Sequence, residues 1–376
     1  MHYLDNSATT PLCRESAERM KEYMDSHFGN PSSLHRLGSE AQMRLDDARR
    51  SVARAIGCDS REVYFTSCGS EADNTAVLGA ARARRRDGRR VITTAVEHSA
   101  VLESMKQLER EGFEVIYLKP DSGGNISEQS LADAVNGDTV LVSMMLVNNE
   151  SGARLPVERI RPICRDAGAD PLIHCDAVQA FGRMSVRPDR LGVDLMSISA
   201  HKVHGPKGVG ALYVARGKRI LPLILGGGQE RGMRSGTEST LLCEGFAAAC
   251  DALPGYDEQN GLYTALRERI LRRAAECDGV TVNSPPDAVP YITNISVRGI
   301  RSETMMHFLE ERDVFVSSGS ACSKGAVSHV LVSMGLDRGD IDSALRISLS
   351  RMNTAEDIDR LFDGIEAAKQ RLRRRR

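Results

Sequence analysis

The sequence lacks any apolar run long enough to cross a membrane, and no secretion-signal pattern precedes Tyr3. It also lacks an excess of charge of either sign, because 50 Lys and Arg residues face 51 Asp and Glu residues. A formal net charge of -1 provides no general attraction for nucleic acid or for an anionic membrane. We therefore expect neither among the partners of this chain. Tryptophan is absent, which by itself excludes nothing.

The cysteines show no pairing pattern. There are nine, an odd number, and they are scattered without a Cys-x-x-Cys motif. This pattern argues against a disulfide framework and against structural zinc. We expect free thiols, no bound metal and a cytoplasmic location, where thiols stay reduced.

The sequence does contain a long alternation of strand and helix patterns. At 376 residues the chain is too long for one simple core, so two domains are expected. Between residues 62 and 225 the alternation predicts an α/β fold with a mostly parallel sheet and helices on both faces. The predicted strands are 63–65, 91–96, 115–118, 140–147, 172–175, 195–199 and 210–214. After the glycines at 226–228, shorter strands and longer helices predict a smaller α+β domain.

The segment 195–210 provides the main chemical hypothesis. It runs from a predicted strand end through Lys202 into a turn rich in glycine. A lysine at the mouth of a strand, among small residues, is well placed to form a Schiff base. Ser199 and His201 beside it can donate hydrogen bonds to a phosphate or to a substrate. The alternative is an ordinary solvated lysine in a loop.

Polar residues also follow four other predicted strands, where ligands of open α/β sheets gather. Asp176 could pair with the protonated ring nitrogen of pyridoxal phosphate, or it could simply cap a helix. Gly69 and Ser70 could bind a phosphate at a helix N-terminus, although the same residues also suit an ordinary helix start. His98 could stack on a cofactor ring and relay protons, or be structural. Asn149 could donate to a phenolic oxygen, or belong to a turn.

Two further residues stand out in the C-terminal third. Cys322 lies in a run of small residues with no apolar neighbours to bury it, and an exposed thiol is a liability unless it reacts. We therefore assign it as a nucleophile. Arg346 alternates with apolar neighbours on a predicted strand, where a guanidinium can bind a carboxylate in a bidentate manner. The alternative is a solubilising arginine on an edge strand.

Taken together, these motifs resemble the group I cysteine desulfurases of the NifS/IscS type, class V aminotransferases with the pyridoxal-phosphate-dependent transferase fold type I. The resemblance extends over nearly the whole chain. The segments that carry it are 3–11, 29–32, 97–98, 148–150, 201–202 and 318–322. It implies a large cofactor-binding domain at 14–250 and a small C-terminal domain at 251–376, which also includes residues 1–13 and carries the segment with Cys322.

The resemblance also implies a role for each site residue. Lys202 would bind pyridoxal 5'-phosphate as a Schiff base, Asp176 would pair with the ring nitrogen and His98 would stack on the ring. Asn149 and Gln179 would lie near the ring substituents, and Gly69, Ser70, Ser199 and His201 would hold the phosphate. Thr237 would reach the phosphate of a neighbouring subunit, which implies a homodimer. Arg346, with Asn149, would bind the substrate.

The implied reaction removes sulfur from L-cysteine. Lys202 would shuttle the α-proton, and the Cys322 thiolate would attack the substrate sulfur, leaving a persulfide and alanine. The sulfur acceptor, in iron–sulfur cluster assembly or transfer-RNA thiolation, stays open. The alternatives are another enzyme of this fold, an aminotransferase or a selenocysteine lyase, and a non-catalytic sulfur-trafficking protein.

The sequence departs from the family pattern in two places. Cys68 and Ser70 stand where the family more often has Gly and Thr. The segment after Cys322 is also slightly short.

Overall fold

A computed structural model of the chain describes residues 1–318 and 327–373. Its helices are α1 (Arg14–Ser26), α2 (Arg36–Ile56), α3 (Gly69–Ala83), α4 (Ser99–Arg110), α5 (Glu128–Ala134), α6 (Val157–Asp166), α7 (Pro188–Leu191), α8 (Thr240–Asp251), α9 (Tyr256–Glu276), α10 (Ser302–Glu310), α11 (His329–Ser333), α12 (Arg338–Asp342) and α13 (Ala355–Arg373). Its strands are β1 (His2–Tyr3), β2 (Val63–Thr66), β3 (Arg90–Thr94), β4 (Glu114–Leu118), β5 (Thr139–Ser143), β6 (Leu172–Asp176), β7 (Leu195–Ser199), β8 (Gly210–Val214), β9 (Val280–Val282), β10 (Ile292–Val297), β11 (Val314–Phe315) and β12 (Ala344–Ser348).

The main sheet has the strand order β2-β8-β7-β6-β5-β3-β4. Its strands are parallel except β8, which runs antiparallel to both β2 and β7. Every residue of β5, β6, β7 and β8 is buried, as expected for strands that are covered by helices on both faces. The predicted α/β fold with a mostly parallel central sheet is therefore confirmed.

Two predicted strands are too long: 91–96, where β3 ends at Thr94, and 140–147. The pattern indicated a strand over 140–147, but β5 ends at Ser143. Beyond it, the Met145 N–H donates to the Glu97 carboxylate at 3.0 Å instead of to a neighbouring strand. The N–H groups of Met144 and Leu146 still donate to the β6 carbonyls of His174 and Asp176, at 3.1 and 3.0 Å. A side chain has therefore replaced the sheet partner of Met145 only, and the residues remain apolar and buried. The short helices α7, α11 and α12 were not predicted.

The segment that carries Lys202 connects two neighbouring antiparallel strands. Ser199 at the end of β7 pairs with Gly210 at the start of β8, and residues 200–209 form the connection. A side chain at Gly210 would approach the backbone of Cys68 within 2.8 Å. This close packing places the lysine connection beside the start of α3.

A second, antiparallel sheet has the order β12-β10-β9, and β1 pairs with β11 in parallel. Asp5 then bridges to Ser348 in β12, so the N-terminal residues lie along the C-terminal part of the chain. The domain boundaries given above remain predictions. No helix in the described part of the chain is both long and apolar enough to span a membrane.

Candidate active site

A cavity of about 170 Å³ lies at the carboxyl ends of the parallel strands. Of the predicted site residues, it brings together Gly69, Ser70, His98, Asn149, Asp176, Gln179, Ser199, His201 and Lys202. These residues are spread over more than 130 positions, but the strand ends place them around one space. The roles predicted for them remain predictions.

The Lys202 amine points inward, beneath the N-terminal segment. Its Nζ donates to the carbonyl of Ser7 at 2.5 Å and to that of Ala8 at 2.8 Å. Burial of the amine, with repulsion from Arg346 and Arg183, lowers the pKa of Lys202 to about 7. A large fraction of this amine is therefore unprotonated at neutral pH, which is the form that condenses with an aldehyde.

Asp176 lies at the end of β6 and accepts a hydrogen bond from the Val178 N–H at 2.9 Å. Burial raises the pKa of this carboxyl group, while His98 and Lys202 nearby act in the opposite direction. Ionised Asp176 in this position is stabilised when a cation enters the cavity, and a protonated ring nitrogen is such a cation.

Another part of the cavity wall suits an anion. Gly69 and Ser70 form the first turn of α3, and the preceding Cys68 makes no side-chain cap. A side chain at Gly69 would contact Val178 Cγ2 within 2.9 Å, so this position has to be small. Ser199 Oγ is buried without a hydrogen-bond partner among the described residues. Free N–H groups at a helix N-terminus and an unpaired hydroxyl are appropriate partners for a phosphate.

His98 caps the start of α4. Its Nδ1 accepts from the Ala100 N–H at 3.2 Å, so the proton of the neutral ring is on Nε2. Burial lowers the pKa of His98, which favours this neutral form. The ring is therefore positioned by backbone contacts and faces the cavity as an uncharged aromatic surface.

Gln179 and Arg346 contact the N-terminal segment. Gln179 Nε2 donates to the Ser7 carbonyl at 3.0 Å, and its Oε1 is buried without a partner in the described part of the chain. Arg346 donates to Asp5 Oδ1 at 2.7 Å and to the Asn149 carbonyl at 3.1 Å. In this structure the Arg346 guanidinium thus binds a carboxylate of its own chain, and the predicted contact with substrate remains a prediction.

Thr237 does not line this cavity. It lies in a separate cavity of about 140 Å³, together with Ser67 and Arg234. Ser67 thus lines this second cavity, while the next three residues, 68–70, line the active-site cavity. This position is compatible with the predicted role of Thr237 in a neighbouring subunit, but does not test it.

The predicted nucleophile, Cys322, lies outside the described residues. The residues on both sides of this segment approach the site. Ser317 forms a backbone bridge with Arg346, and Ser328 donates to the Glu150 carboxylate at 2.5 Å. The His329 ring Nε2 lies 3.0 Å from the carbonyl of Glu97, the residue before His98.

Several site residues were not predicted from the sequence. Asp73 lines the cavity, and its buried Oδ1 has no hydrogen-bond partner among the described residues. Burial, and then the nearby Asp176, raise the pKa of Asp73. A charged residue on the apolar face of α3, between Ala72 and Ala76, was the available signal. The carbonyls that bind Lys202 leave no such signal in the sequence.

These residues fit pyridoxal 5'-phosphate. The cavity presents an amine, a buried carboxylate, a helix N-terminus, and unpaired side-chain oxygens of Ser199 and Gln179. Each matches one group of the cofactor: the aldehyde, the ring nitrogen, the phosphate and the ring substituents.

Comparisons with known proteins agree with this assignment. The family described as aminotransferase class-V matches residues 2–361. Cysteine desulfurase IscS of Methanosarcina thermophila is 39% identical over 375 residues, covering 99% of this chain and 92% of the relative. That of Vibrio vulnificus strain CMCP6 is 43% identical over 382 residues, covering 99% and 93%.

Solved structures are similar over the same length. A NifS-like protein has a TM-score of 0.92 at 38% identity, covering 98% of this chain and 99% of that one. A protein described as SspA in complex with cysteine has a TM-score of 0.83 at 34% identity, covering 94% and 100%. They confirm the transferase fold type I, and the chain belongs to the class-V aminotransferase family, as a pyridoxal-phosphate-dependent cysteine desulfurase.

Proposed function

We propose that this enzyme converts L-cysteine to L-alanine and transfers the sulfur to Cys322 as a persulfide. The observation that carries the proposal is the position of a weakly basic amine, Lys202, in the same cavity as the buried carboxylate of Asp176. The SspA structure with cysteine bound supports the same substrate here.

When bound, pyridoxal phosphate supplies an electron sink for the bonds at the substrate α-carbon. The protein residues hold it in place and control its charge. Asp176 would keep a proton on the ring nitrogen, and the neutral His98 ring would stack on the ring. Gly69, Ser70, Ser199 and His201 would hold the phosphate, and Asn149 and Gln179 would lie near the ring substituents.

Lys202 is the residue that moves the proton. Because its pKa is about 7, Nζ can accept the α-proton and return it near neutral pH with little cost in either direction. Its two carbonyl partners, on Ser7 and Ala8, keep the amine in place in both states. Arg346 binds the substrate carboxylate, which takes the place of the Asp5 carboxylate on the guanidinium.

Sulfur transfer is assigned to Cys322. Its thiolate attacks the sulfur of cysteine, and an S–S bond forms as the C–S bond breaks. The remaining three-carbon fragment takes up a proton and leaves as alanine. A persulfide must next meet an acceptor, for which we propose a scaffold of iron–sulfur cluster assembly or a transfer-RNA thiolation protein.

We further propose a homodimer in the cytoplasm. Phe28, Leu34 and Leu225 are among the apolar side chains that this protomer exposes, at 84%, 102% and 79%. A second subunit would cover such residues, and Thr237 would then contact the phosphate of its neighbour. The eight cysteines in the described residues are free thiols, which supports a reducing compartment.

The test measures sulfide and alanine released from L-cysteine by the wild type, by Cys322→Ala and by the control Cys58→Ala. Cys58 is a half-buried thiol that does not line the cavity. We expect Cys322→Ala to keep the visible absorbance of the bound cofactor and to lose sulfide release, while Cys58→Ala retains both. Sulfide release by Cys322→Ala at the wild-type rate would reject the assigned nucleophile. Amino-group transfer to a 2-oxo acid in its place would favour an aminotransferase.

A further inference from the structure

Residues 226–237, here called the strap, are held against the main sheet in a strained conformation. Glu230 and Arg231 are consecutive non-glycine residues in the left-handed region, with φ of 47° and 56°. A side chain makes this backbone conformation unfavourable. Such strain persists only where surrounding contacts fix the backbone.

The contacts that fix the strap are buried and charged. Glu230 is 4% exposed and binds Arg49 in a bidentate manner, at 2.6 and 2.8 Å. The same carboxylate accepts from the Phe65 N–H in β2 at 2.9 Å. Arg231 places its guanidinium 4.2 Å from the centre of the Tyr64 ring. The first half of the strap is therefore attached to β2 and α2.

The second half of the strap contacts the phosphate end of the active site through one ion pair. Arg234 Nε lies 3.0 Å and its Nη2 lies 3.4 Å from the two carboxylate oxygens of Glu71. Glu71 lies in the first turn of α3 and accepts from the Ser67 N–H at 3.0 Å and from the Ser67 hydroxyl at 2.5 Å. Arg234, Glu71 and Ser67 thus form a continuous chain behind the turn that carries Gly69 and Ser70.

This arrangement has an electrostatic consequence. The Glu71 carboxylate directly follows Ser70 in the chain, and its side chain is only 9% exposed. Unpaired, it would repel a phosphate at the start of α3, because solvent screens the two negative charges poorly there. Arg234 supplies the compensating positive charge. Because Glu71 bonds to Ser67, it also leaves the N–H groups of Gly69 and Ser70 for the ligand.

We propose that Arg234 is a positioning residue for the cofactor phosphate. It pairs with Glu71, holds residues 67–70 in their phosphate-binding geometry, and cancels the repulsion between that carboxylate and the phosphate. The strap that carries Thr237 thereby also supports the phosphate site of its own subunit. This inference rests on the proposed function, because it requires pyridoxal phosphate in the cavity.

The experiment measures the affinity of the cofactor-free protein for two aldehydes, pyridoxal phosphate and pyridoxal, which lacks the phosphate. The variants are Arg234→Gln, Glu71→Gln, the double variant and the in-strap control Arg231→Gln. We expect Arg234→Gln to weaken pyridoxal phosphate binding about tenfold and to change pyridoxal binding less than about threefold. We expect the double variant to recover to within about threefold of the wild type, and Arg231→Gln to bind as the wild type does.

Three results would overturn the role of Arg234: unchanged pyridoxal phosphate affinity in Arg234→Gln, equal losses for both aldehydes, or no recovery in the double variant. Equal losses in Arg231→Gln and Arg234→Gln would show that only the attachment of the strap matters, which also contradicts the proposal. Failure of the wild type to bind pyridoxal phosphate would instead overturn the proposed function. Thermal unfolding of each variant, compared with that of the wild type, identifies any that fails to fold.

Discussion

The groups around the active-site cavity divide into an acidic set and a basic set. The acidic set is Asp73, Glu97 and Asp176, all buried close to the ends of the main strands. The basic set is Lys202, Arg183 and Arg346, all of which donate to residues 5–8 of the N-terminal segment.

The two sets respond to burial in opposite directions. Burial raises the pKa of Asp176, of Asp73 and of Glu97, the last to about 8. Burial lowers the pKa of Lys202 to about 7, and it lowers the pKa of Arg183. Both shifts favour the neutral form. The comparison indicates that the protein places its acids and its amine where a ligand with opposite charges is needed to stabilise their ionised forms.

The largest expected effect follows from removal of the amine. Lys202→Ala should abolish the Schiff base and lower turnover of L-cysteine by at least roughly 10²–10⁴-fold, since proton transfer alone contributes that much. Lys207→Ala, an exposed lysine on the same connection between β7 and β8, should leave turnover unchanged. Borohydride reduction followed by mass spectrometry locates the bound cofactor. A reduced adduct at another lysine in the wild type would contradict the assignment.

A smaller effect is expected on stability, and it has a definite sign. In the cofactor-free protein the pKa of Lys202 lies at about 7, below its ordinary value of 10.5. Between these values the unfolded chain binds more protons, so wild-type stability rises with pH. Lys202→Met should therefore be more stable than the wild type below a pH of about 7. The difference in free energy of unfolding between the two proteins should narrow by about 1–3 kcal/mol by a pH of about 9.

Urea unfolding of both proteins across this pH range measures that difference. If the difference in free energy of unfolding stays constant or widens as the pH rises, the Lys202 amine does not have a lowered pKa.

The smallest expected effect comes from the acidic set and has the opposite sign. The pKa of Glu97 is about 8 in the folded protein, whereas its ordinary value is 4.5. Between these values the folded protein binds more protons than the unfolded chain, so the free energy of unfolding of the wild type falls as the pH rises. Glu97→Gln resembles the protonated acid and should match the wild type at a pH of about 5. Its advantage over the wild type should grow by about 1 kcal/mol between a pH of about 5 and a pH of about 6.

The control for this prediction is Glu103→Gln, an exposed glutamate on α4. The same urea series should show a nearly constant difference for that variant. If Glu97→Gln behaves like Glu103→Gln, burial does not hold the proton on Glu97.

The sequence predicts strand positions best where both faces of the sheet are buried. Strands β7 and β8 begin and end where predicted, because a polar or glycine residue lies within two positions of each end of these buried runs. Contacts made by the backbone are invisible to such patterns. The carbonyls of Ser7 and Ala8 bind a lysine nearly 200 positions away without any characteristic side chain. The pairing of Arg346 with Asp5 was missed for a related reason, because either residue alone resembles a surface charge.

The placement of the N-terminal residues has a consequence for the order of assembly. Residues 2–3 pair with residues 314–315, and Asn6 Nδ2 donates to the Ser348 carbonyl at 2.9 Å and to Asn353 Oδ1 at 3.1 Å. In a nascent chain these N-terminal residues are synthesised more than 300 positions before the partners that fix them. The cover over the Lys202 amine can therefore settle only after those partners have been synthesised.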